Sequence, residues 1–226
     1  MVAEASKGYR HQDLDGNVID LAVGKVVCVG RNYLMHIQEL NNTVPDKPLL
    51  FIKPSTSVVN LAEPIVLPTE RGECHNEVEL AVLIAKPLKN AKAEQVEQAI
   101  WGYGVALDLT LRDLQDELKH QGHPWERAKA FDGSCPLSPF VAKSAIHDHQ
   151  DVHFSLTVNG QIRQVGHSQD MIVSINALLT EISQTFTLLP GDIVLTGTPR
   201  GVAALKHNDQ LDVVFEQFFG ISTTVV

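Results

Sequence analysis

The chain has 226 residues, 44% of them hydrophobic and 20% charged, and a formal net charge of −9. That length and apolar content suffice to bury one large core, and no segment is depleted of apolar residues as a disordered tail would be. The acidic balance speaks against nucleic acid, which clustered Lys and Arg must neutralise, and it obliges any anionic substrate to be met locally by a metal or by placed basic residues.

The N-terminal stretch carries Glu4, Lys7, Arg10, Asp13 and Asp15 and no continuous apolar run. Residues 1–24 are therefore expected to be a polar leader, turned at Asp15-Gly16 and packed on or preceding a domain over 25–226, and not a signal peptide. Lys25–Gly30 predicts an apolar strand, Asn32–Leu40 a short helix or lid-like loop, and Leu49–Lys53 a strand stopped by Pro54. Ser55–Gly72 predicts loop broken by a strand at Ile65–Leu67. Glu77–Ile84 alternates as a strand, Ala93–Trp101 has helical spacing, and Gly104–Leu109 is again strand. Thr110 and Asp113 fit a capping pattern for a helix striped by Leu111, Leu114 and Leu118 and ended at Gly122. Further on, His153–Val158 and Gln161–Val165 flank Asn159-Gly160, a hairpin signal. Met171–Phe186 predicts an amphipathic helix, Asp192–Thr196 a strand, and Leu211–Phe215 with Ile221–Val226 a strand pair turned at Gly220. Strands outnumber helices and hairpins outnumber βαβ units, so the expected class is α+β, predominantly β, with a large, mostly antiparallel sheet.

The three cysteines, Cys28, Cys74 and Cys135, form no CxxC pair. They predict reduced thiols and a cytoplasmic protein. The longest apolar runs, such as Ala81–Ala85, fall far short of the roughly 20 residues that span a bilayer, so no membrane partner is expected.

Three carboxylates carry the chemistry. In a strand, side chains two apart share a face, so Glu77 and Glu79 point together while Val78, Leu80, Val82 and Ile84 fill the other face. Adjacent carboxylates repel, strongly so inside a fold, and call for a cation between them. Asp108 stands alone in the apolar run Val105–Leu109, and a lone buried acid is rare unless paired or metal-bound. Three carboxylates without a cysteine pair suit a hard ion, Mg²⁺ or Mn²⁺, with about three of six positions left for water or a chelating substrate. The residues also allow a plainer reading: two glutamates on a solvated sheet face, and Asp108 capping the helix at Thr110.

His36 and Glu39, three apart, would share one side of a helix, where the carboxylate raises the basicity of the imidazole; the same spacing also occurs on ordinary polar surface. Arg31 and Lys129 are candidate anion contacts or surface charges. Gly197-Thr198 offers backbone N–H groups and a hydroxyl to a carboxylate, or is a simple turn. His120, His123, His147, His149 and His153 fit no zinc-protease motif and are expected at the surface or in turns.

Six short motifs occur in one order: Val29-Gly30-Arg31-Asn32-Tyr33, Phe51-Ile52-Lys53-Pro54, His75-x-Glu77-x-Glu79, Leu107-Asp108-Leu109-Thr110, Trp125-Glu126-Arg127-Ala128-Lys129 and Leu195-Thr196-Gly197-Thr198-Pro199. Over residues 25–226 the chain resembles the fumarylacetoacetate hydrolase family, above all its compact acylpyruvase branch. The resemblance implies a mixed β-sandwich roll with a few peripheral helices, a homodimer, and a Mg²⁺ or Mn²⁺ ion held by Glu77, Glu79 and Asp108. It implies His36 and Glu39 as a water-activating dyad on a lid, and substrate contacts from Arg31, Gln115, Lys129 and Thr198. The sequence departs from the family at Asn76, where many relatives have a second histidine, and at Ala203, where relatives often have glycine. The expected reaction is hydrolysis of the carbon–carbon bond of an acylpyruvate through a metal-bound pyruvate enolate, with Lys129 neutralising developing charge. Oxaloacetate tautomerisation or decarboxylation at the same site is the alternative, and a non-catalytic metal- or anion-binding sandwich a distant third. The expected partner is a small 2-oxo acid or diacid.

Overall fold

The computed structural model describes residues 8–40, 42–68 and 70–226. The start of the predicted leader, residues 1–7, lies outside them, as does Thr69 in the Ser55–Gly72 segment. The main sheet draws on β1 (Val26–Gly30), β2 (Leu49–Lys53) and β3 (Val58–Asn60). After the short β4 (Cys74–Asn76), which lies outside it, come its central strands β5 (Val78–Ile84) and β6 (Ile100–Leu107). Beyond β7 (Thr110–Leu111), also outside it, follow β8 (Cys135–Leu137) and β9 (Val141–Ala142). A second sheet contains β10 (His153–Val158) and β11 (Gln161–His167). The last strands are β12 (Ile193–Leu195), β13 (Ala203–Ala204), β14 (Gln210–Phe215) and β15 (Phe219–Thr224).

The main sheet runs β2-β1-β12-β5-β6-β8-β3, with β9 also on β6; the second runs β11-β10-β14-β15, and β13-β4-β7 form a small third. The main sheet is mixed: β1–β12 and β3–β8 are parallel and its other pairs antiparallel. Among the described residues the α-helices are α1 (Leu34–Glu39), α2 (Ala93–Ala99), α3 (Arg112–Gln121), α4 (Glu126–Lys129) and α5 (Ile175–Thr185). The class is α+β with strand predominant, a curled sandwich with few helices.

Strand alternation sorts the side chains into two cores. Val27, Val29, Val78, Leu80, Val82, Ile84, Val105 and Leu107 face inward onto Phe154, Leu156, Leu211 and Phe215 of the second sheet and Leu178, Leu179 and Ile182 of α5. The intervening residues Val26, Cys28, Ala81, Leu83, Ala106 and Leu195 form a second core on the opposite face with Ile19, Phe51 and Phe140. The leader covers this face: His11 is fully buried, and its Nε2 lies 3.1 Å from the carbonyl oxygen of Gly191. Gly191 has φ +89°, and a Cβ there would sit 1.8 Å from the carbonyl oxygen of Ala22, so both conformation and space require glycine.

Several boundaries differ from the sequence expectation. The helix expected from Thr110 begins at Arg112, because Thr110 and Leu111 pair with β4. The Thr110 hydroxyl donates instead to the Asp108 carbonyl, and the Asp113 carboxylate accepts the Glu73 N–H. Its end at Gly122 is as expected, with φ +69°. The helix expected from Met171 begins at Ile175, because Met171 and Ser174 are extended, Met171 bridging Tyr33. The final hairpin turns at Glu216–Phe218, not at Gly220, which pairs with Val214 inside the ladder. The helix over Ala93–Trp101 stops at Ala99, where Ile100 enters β6. The Asn159-Gly160 hairpin forms as predicted, with φ +53° and +75°.

Candidate active site

Glu77, Glu79 and Asp108 continue the second-core face beyond Ala81 on β5 and Ala106 on β6. Glu77 falls in the break between β4 and β5, but its carbonyl accepts the Asp108 N–H at 2.8 Å, which holds the pairing through the break. The three side chains are buried, and their oxygens converge to within 4.8 Å of one another. Solvation of the glutamates on an open sheet face is thereby excluded, as is capping of α3 by Asp108.

Buried acids of this density require compensation, and three cations provide it. The Lys129 ammonium, brought in by α4, donates to Glu77 Oε2 at 2.6 Å and to Asp108 Oδ2 at 2.5 Å. The Arg112 guanidinium, on the first turn of α3, pairs with Glu77 Oε1 and donates to Gln115 Oε1 at 2.7 Å. Lys53 ends β2 fully buried; its ammonium donates to the Lys129 carbonyl and to Ser134, and lies 2.8 Å from Asp108 Oδ1. That approach lacks hydrogen-bond geometry, so Asp108 Oδ1 remains a buried acceptor without a donor. Glu79 differs again: its Oε2 accepts the Gly197 N–H at 2.7 Å, and among the described residues no cation pairs with it.

The electrostatics follow from this wiring. Burial opposes the charge of Glu77, but Lys129 and Arg112 outweigh it and hold the carboxyl well below the usual range. Burial, reinforced by the neighbouring Asp108, pushes Glu79 well above it. Burial likewise opposes the charge of Lys129, yet Asp108 and Glu77 raise its affinity for its proton. The three carboxylates face three cations, but among the described residues Glu79 has no cation of its own, and Asp108 keeps an orphaned oxygen. This donor set fits a hard divalent cation held by Glu77, Glu79 and Asp108.

Above the triad lies α1. His36 Nδ1 is 3.3 Å from Glu39 Oε2, and the Glu39 carboxylate accepts the Gly201 N–H at 2.9 Å. Glu39 thus orients the imidazole and also latches α1 to the loop after Thr198. Asn32 anchors the root of this lid: its amide donates to the carbonyls of Val173 and Thr196 at 3.0 and 2.9 Å. Burial lowers the pKa of His36 from the free imidazole's value, partly offset by Glu77 and Glu39, which favours the neutral ring.

Arg31, Gln115 and Thr198 line the same enclosed cavity as His36, Lys129 and the triad, joined by Lys119 and Trp125. Arg31, at φ +63°, donates to Asn42 Oδ1 at 2.8 Å. The Thr198 hydroxyl donates to the Val78 carbonyl at 2.9 Å and accepts from Gln164 Nε2 at 2.8 Å, so its proton is committed within the protein. The Gly197 N–H that sequence reasoning offered to a ligand carboxylate goes to Glu79. Asn76 points away from the triad, onto Gln164 Oε1 at 2.8 Å, and Ala203 pairs with Asn76 in the small sheet. The cavity measures about 40 Å³, and His36 of α1 forms part of its wall. A larger open groove of about 870 Å³, lined by Arg71, Asp113, Glu126 and Phe131, contains none of the triad.

Sequence reasoning missed Arg112 and did not assign Lys53 to the site. A lysine ending the apolar run Leu49–Lys53 was a signal of the same kind as Asp108. Arg112 had none beyond its position three residues before Gln115.

Fold and site together define an enzyme with a buried carboxylate triad beneath a histidine-bearing lid. Residues 25–226 match the family model described as fumarylacetoacetate (FAA) hydrolase, C-terminal. The chain belongs to the fumarylacetoacetate hydrolase family, whose enzymes act on keto acids. It is 52% identical over 209 residues, 92% of this chain and 95% of the relative, to oxaloacetate tautomerase YcgM of Escherichia coli K12. It is 42% identical over 187 residues, 83% of this chain and 85% of the relative, to the human mitochondrial oxaloacetate tautomerase FAHD1. Among solved structures, a family protein of Yersinia pestis CO92 superposes with a TM-score of 0.95 at 49% identity, covering 96% of this chain and all of that one. Fumarylpyruvate hydrolase of Pseudomonas aeruginosa, in complex with Mn²⁺ and pyruvate, gives 0.91 at 33% identity, covering 100% of this chain and 99% of that one. Among the described residues, no helix is long and apolar enough to cross a membrane.

Proposed function

We propose that the protein is a divalent-metal oxaloacetate keto–enol tautomerase. The observation that carries the choice of reaction is likeness: the E. coli and human relatives, at 52% and 42% identity, are named oxaloacetate tautomerases, whereas the fumarylpyruvate hydrolase is 33% identical. This reverses the order of the sequence reading, which put acylpyruvate hydrolysis first because a His–Glu dyad suits water activation. The same dyad serves a carbon acid equally well.

A Mg²⁺ or Mn²⁺ ion held by Glu77, Glu79 and Asp108 would supply Lewis acidity toward the 2-keto oxygen of the substrate. The remaining work falls to the chain. The three carboxylates face three cations, Lys53, Lys129 and Arg112, so an added divalent ion leaves a positive surplus that a dicarboxylate dianion matches. Arg31, Gln115 and Lys119 line the cavity where the distal carboxylate would lie. Neutral His36, steadied by Glu39, takes a proton from C3, the Lys129 ammonium donates a hydrogen bond to the oxygen on which charge develops, and return of the proton to that oxygen completes the enol and restores neutral His36. Closure of α1 onto Gly201 excludes water, which favours proton transfer over hydrolysis.

Hydrolysis of an acylpyruvate, or decarboxylation of oxaloacetate, is the second reading, favoured by the dyad and by the Mn²⁺–pyruvate complex of the P. aeruginosa relative. The test compares oxaloacetate tautomerisation with product release from acetylpyruvate, fumarylpyruvate and oxaloacetate, all with Mg²⁺ and with Mn²⁺. Tautomerisation is expected to exceed each cleavage by at least about tenfold in kcat/KM; faster release of pyruvate would make the enzyme a hydrolase or decarboxylase.

The working assembly is proposed to be a homodimer, as the family resemblance implies. Sedimentation at the mass of one chain at micromolar concentration would overturn that reading. Three buried free cysteines suit a reducing compartment, the cytoplasm being the proposed one; the human relative is named mitochondrial.

A further inference from the structure

Between the triad and the lid latch stands a buried side chain that the mechanism leaves unused. Gln164 belongs to β11 of the second sheet, and a bulge there aims it. Leu156 of β10 is opposite Gln164 and Thr157 is opposite Ile162, so Arg163 is the extra residue. Residues two apart normally share a face of a strand. The bulge instead leaves Ile162 exposed on the outer face and turns Gln164 inward, where it is buried.

The Gln164 amide uses every hydrogen bond it can make. Its Oε1 accepts from Asn76 Nδ2 at 2.8 Å and from the Val78 N–H at 2.9 Å. Its Nε2 donates to Thr198 Oγ1 at 2.8 Å and to the Pro199 carbonyl at 2.9 Å. The Val78 N–H can only donate and the Pro199 carbonyl can only accept, so backbone partners settle which end of the amide is which.

These bonds fall where the main sheet is interrupted. β12 ends at Leu195, and Thr196 still gives its N–H to the Leu80 carbonyl at 3.1 Å. At Gly197, φ +98°, the chain turns off and its N–H goes to Glu79. Val78 thereby loses its ladder on that side. Gln164 accepts the Val78 N–H and the Thr198 hydroxyl donates to the Val78 carbonyl at 2.9 Å, so two side chains stand in for the missing strand. Both chain neighbours of Glu77, Asn76 and Val78, are thus tied to one amide. The other end of that amide reaches the lid. Thr198 and Pro199 lead to Gly201, whose N–H latches Glu39 and whose carbonyl accepts from Asn76 Nδ2 at 3.3 Å. Gly201 also rests on the bulge: a Cβ there would come within 2.0 Å of the Arg163 carbonyl oxygen.

The plain alternative is that a buried amide is bonded only because burial demands it. That accounts for its being satisfied. It does not account for the choice of partners, all of which belong to the two segments that carry Glu77 and the latch. We propose that Gln164 is a positioning residue of the active site: its oxygen holds Glu77 in the triad, and its nitrogen holds the Thr198–Gly201 loop on which the lid closes. The proposal deepens the reading of a divalent-metal tautomerase and rests on it. The two ends of one amide then govern two separable quantities, metal affinity and turnover.

The experiment is Mn²⁺ titration by calorimetry of chelator-stripped protein, with oxaloacetate tautomerisation at saturating Mn²⁺, for wild type, Gln164→Met, Gln164→Glu and Leu156→Ala. Leu156 faces Gln164 from β10, and its truncation loosens the second sheet without removing a bond of the clamp. It should lower the melting temperature and leave Mn²⁺ affinity and turnover as in wild type. Gln164→Met keeps the length and makes none of the four bonds, so Mn²⁺ affinity is expected to fall about tenfold or more. Gln164→Glu keeps an acceptor for Asn76 and Val78 but loses at least one donor. It should bind Mn²⁺ as wild type does while kcat/KM falls about tenfold or more. Wild-type Mn²⁺ affinity in a folded Gln164→Met protein overturns the clamp, as does an equal loss of affinity in Leu156→Ala. Wild-type kcat/KM in Gln164→Glu overturns the role of the nitrogen, whether or not Gln164→Met folds. Affinity is measured without substrate, so a wild type inert toward oxaloacetate overturns the tautomerase reading alone.

Discussion

Asp108→Asn is expected to remove metal-dependent tautomerisation, lowering kcat/KM by about a thousandfold or more, and to abolish saturable Mg²⁺ or Mn²⁺ binding by calorimetry. The substitution preserves volume and removes one charge from the centre of the network. Asp108 is the residue on which both Lys53 and Lys129 converge, and its Oδ1 is the orphaned acceptor of the site. The same change leaves two buried ammonium groups facing a neutral amide. Breaking a buried pair in this way costs about 3–5 kcal/mol, so the melting temperature should fall even without metal. Circular dichroism separates loss of ligand from loss of fold. Normal metal affinity in a folded Asp108→Asn protein, or full wild-type activity after chelation, would dismiss the triad as the metal centre.

His36→Gln is expected to lower kcat for tautomerisation by about 10²–10⁴-fold, the usual contribution of a positioned general base, with metal affinity unchanged. The pH dependence gives the role a signature. The base form is the neutral imidazole, and activity is lost as the ring takes up a proton. Burial holds the pKa of His36 below 6.5, so wild-type kcat/KM should be flat through neutrality and fall only on the acid side of pH 6.5. The variant should lose that limb. An identical acid limb in His36→Gln would assign the titration to another group and remove His36 as the base.

Local sequence carried much of this. Period-2 alternation over Val78–Ile84 placed Glu77 and Glu79 on one face, and the structure puts their neighbours Ala81 and Leu83 in the second core and Val78 through Ile84 at even positions in the first. Asp108 was conspicuous for the same reason, a charge in an apolar run. Where local rules failed, a partner distant in sequence had taken the group the rule relied on. Thr110 was free to cap a helix until β4 paired with it. Met171 was free to open a helix until Tyr33, about 140 residues earlier, bridged it as extended chain.

Patterning and spacing alone thus determined the strand-rich class, the hairpin at Asn159-Gly160 and the shared face of the two glutamates, because these depend on backbone periodicity and on residues a few positions apart. The ordered motifs added the family. Only the tertiary structure decided what balances the acids. Arg112 and Lys53 reach Glu77 and Asp108 from different elements, and no spacing rule connects β2, α3 and α4. It also decided the state of His36, since burial under a lid latched by Glu39 to Gly201 depends on a contact 162 residues away along the chain. Charge compensation and desolvation are set by three-dimensional proximity, and a linear pattern does not contain it.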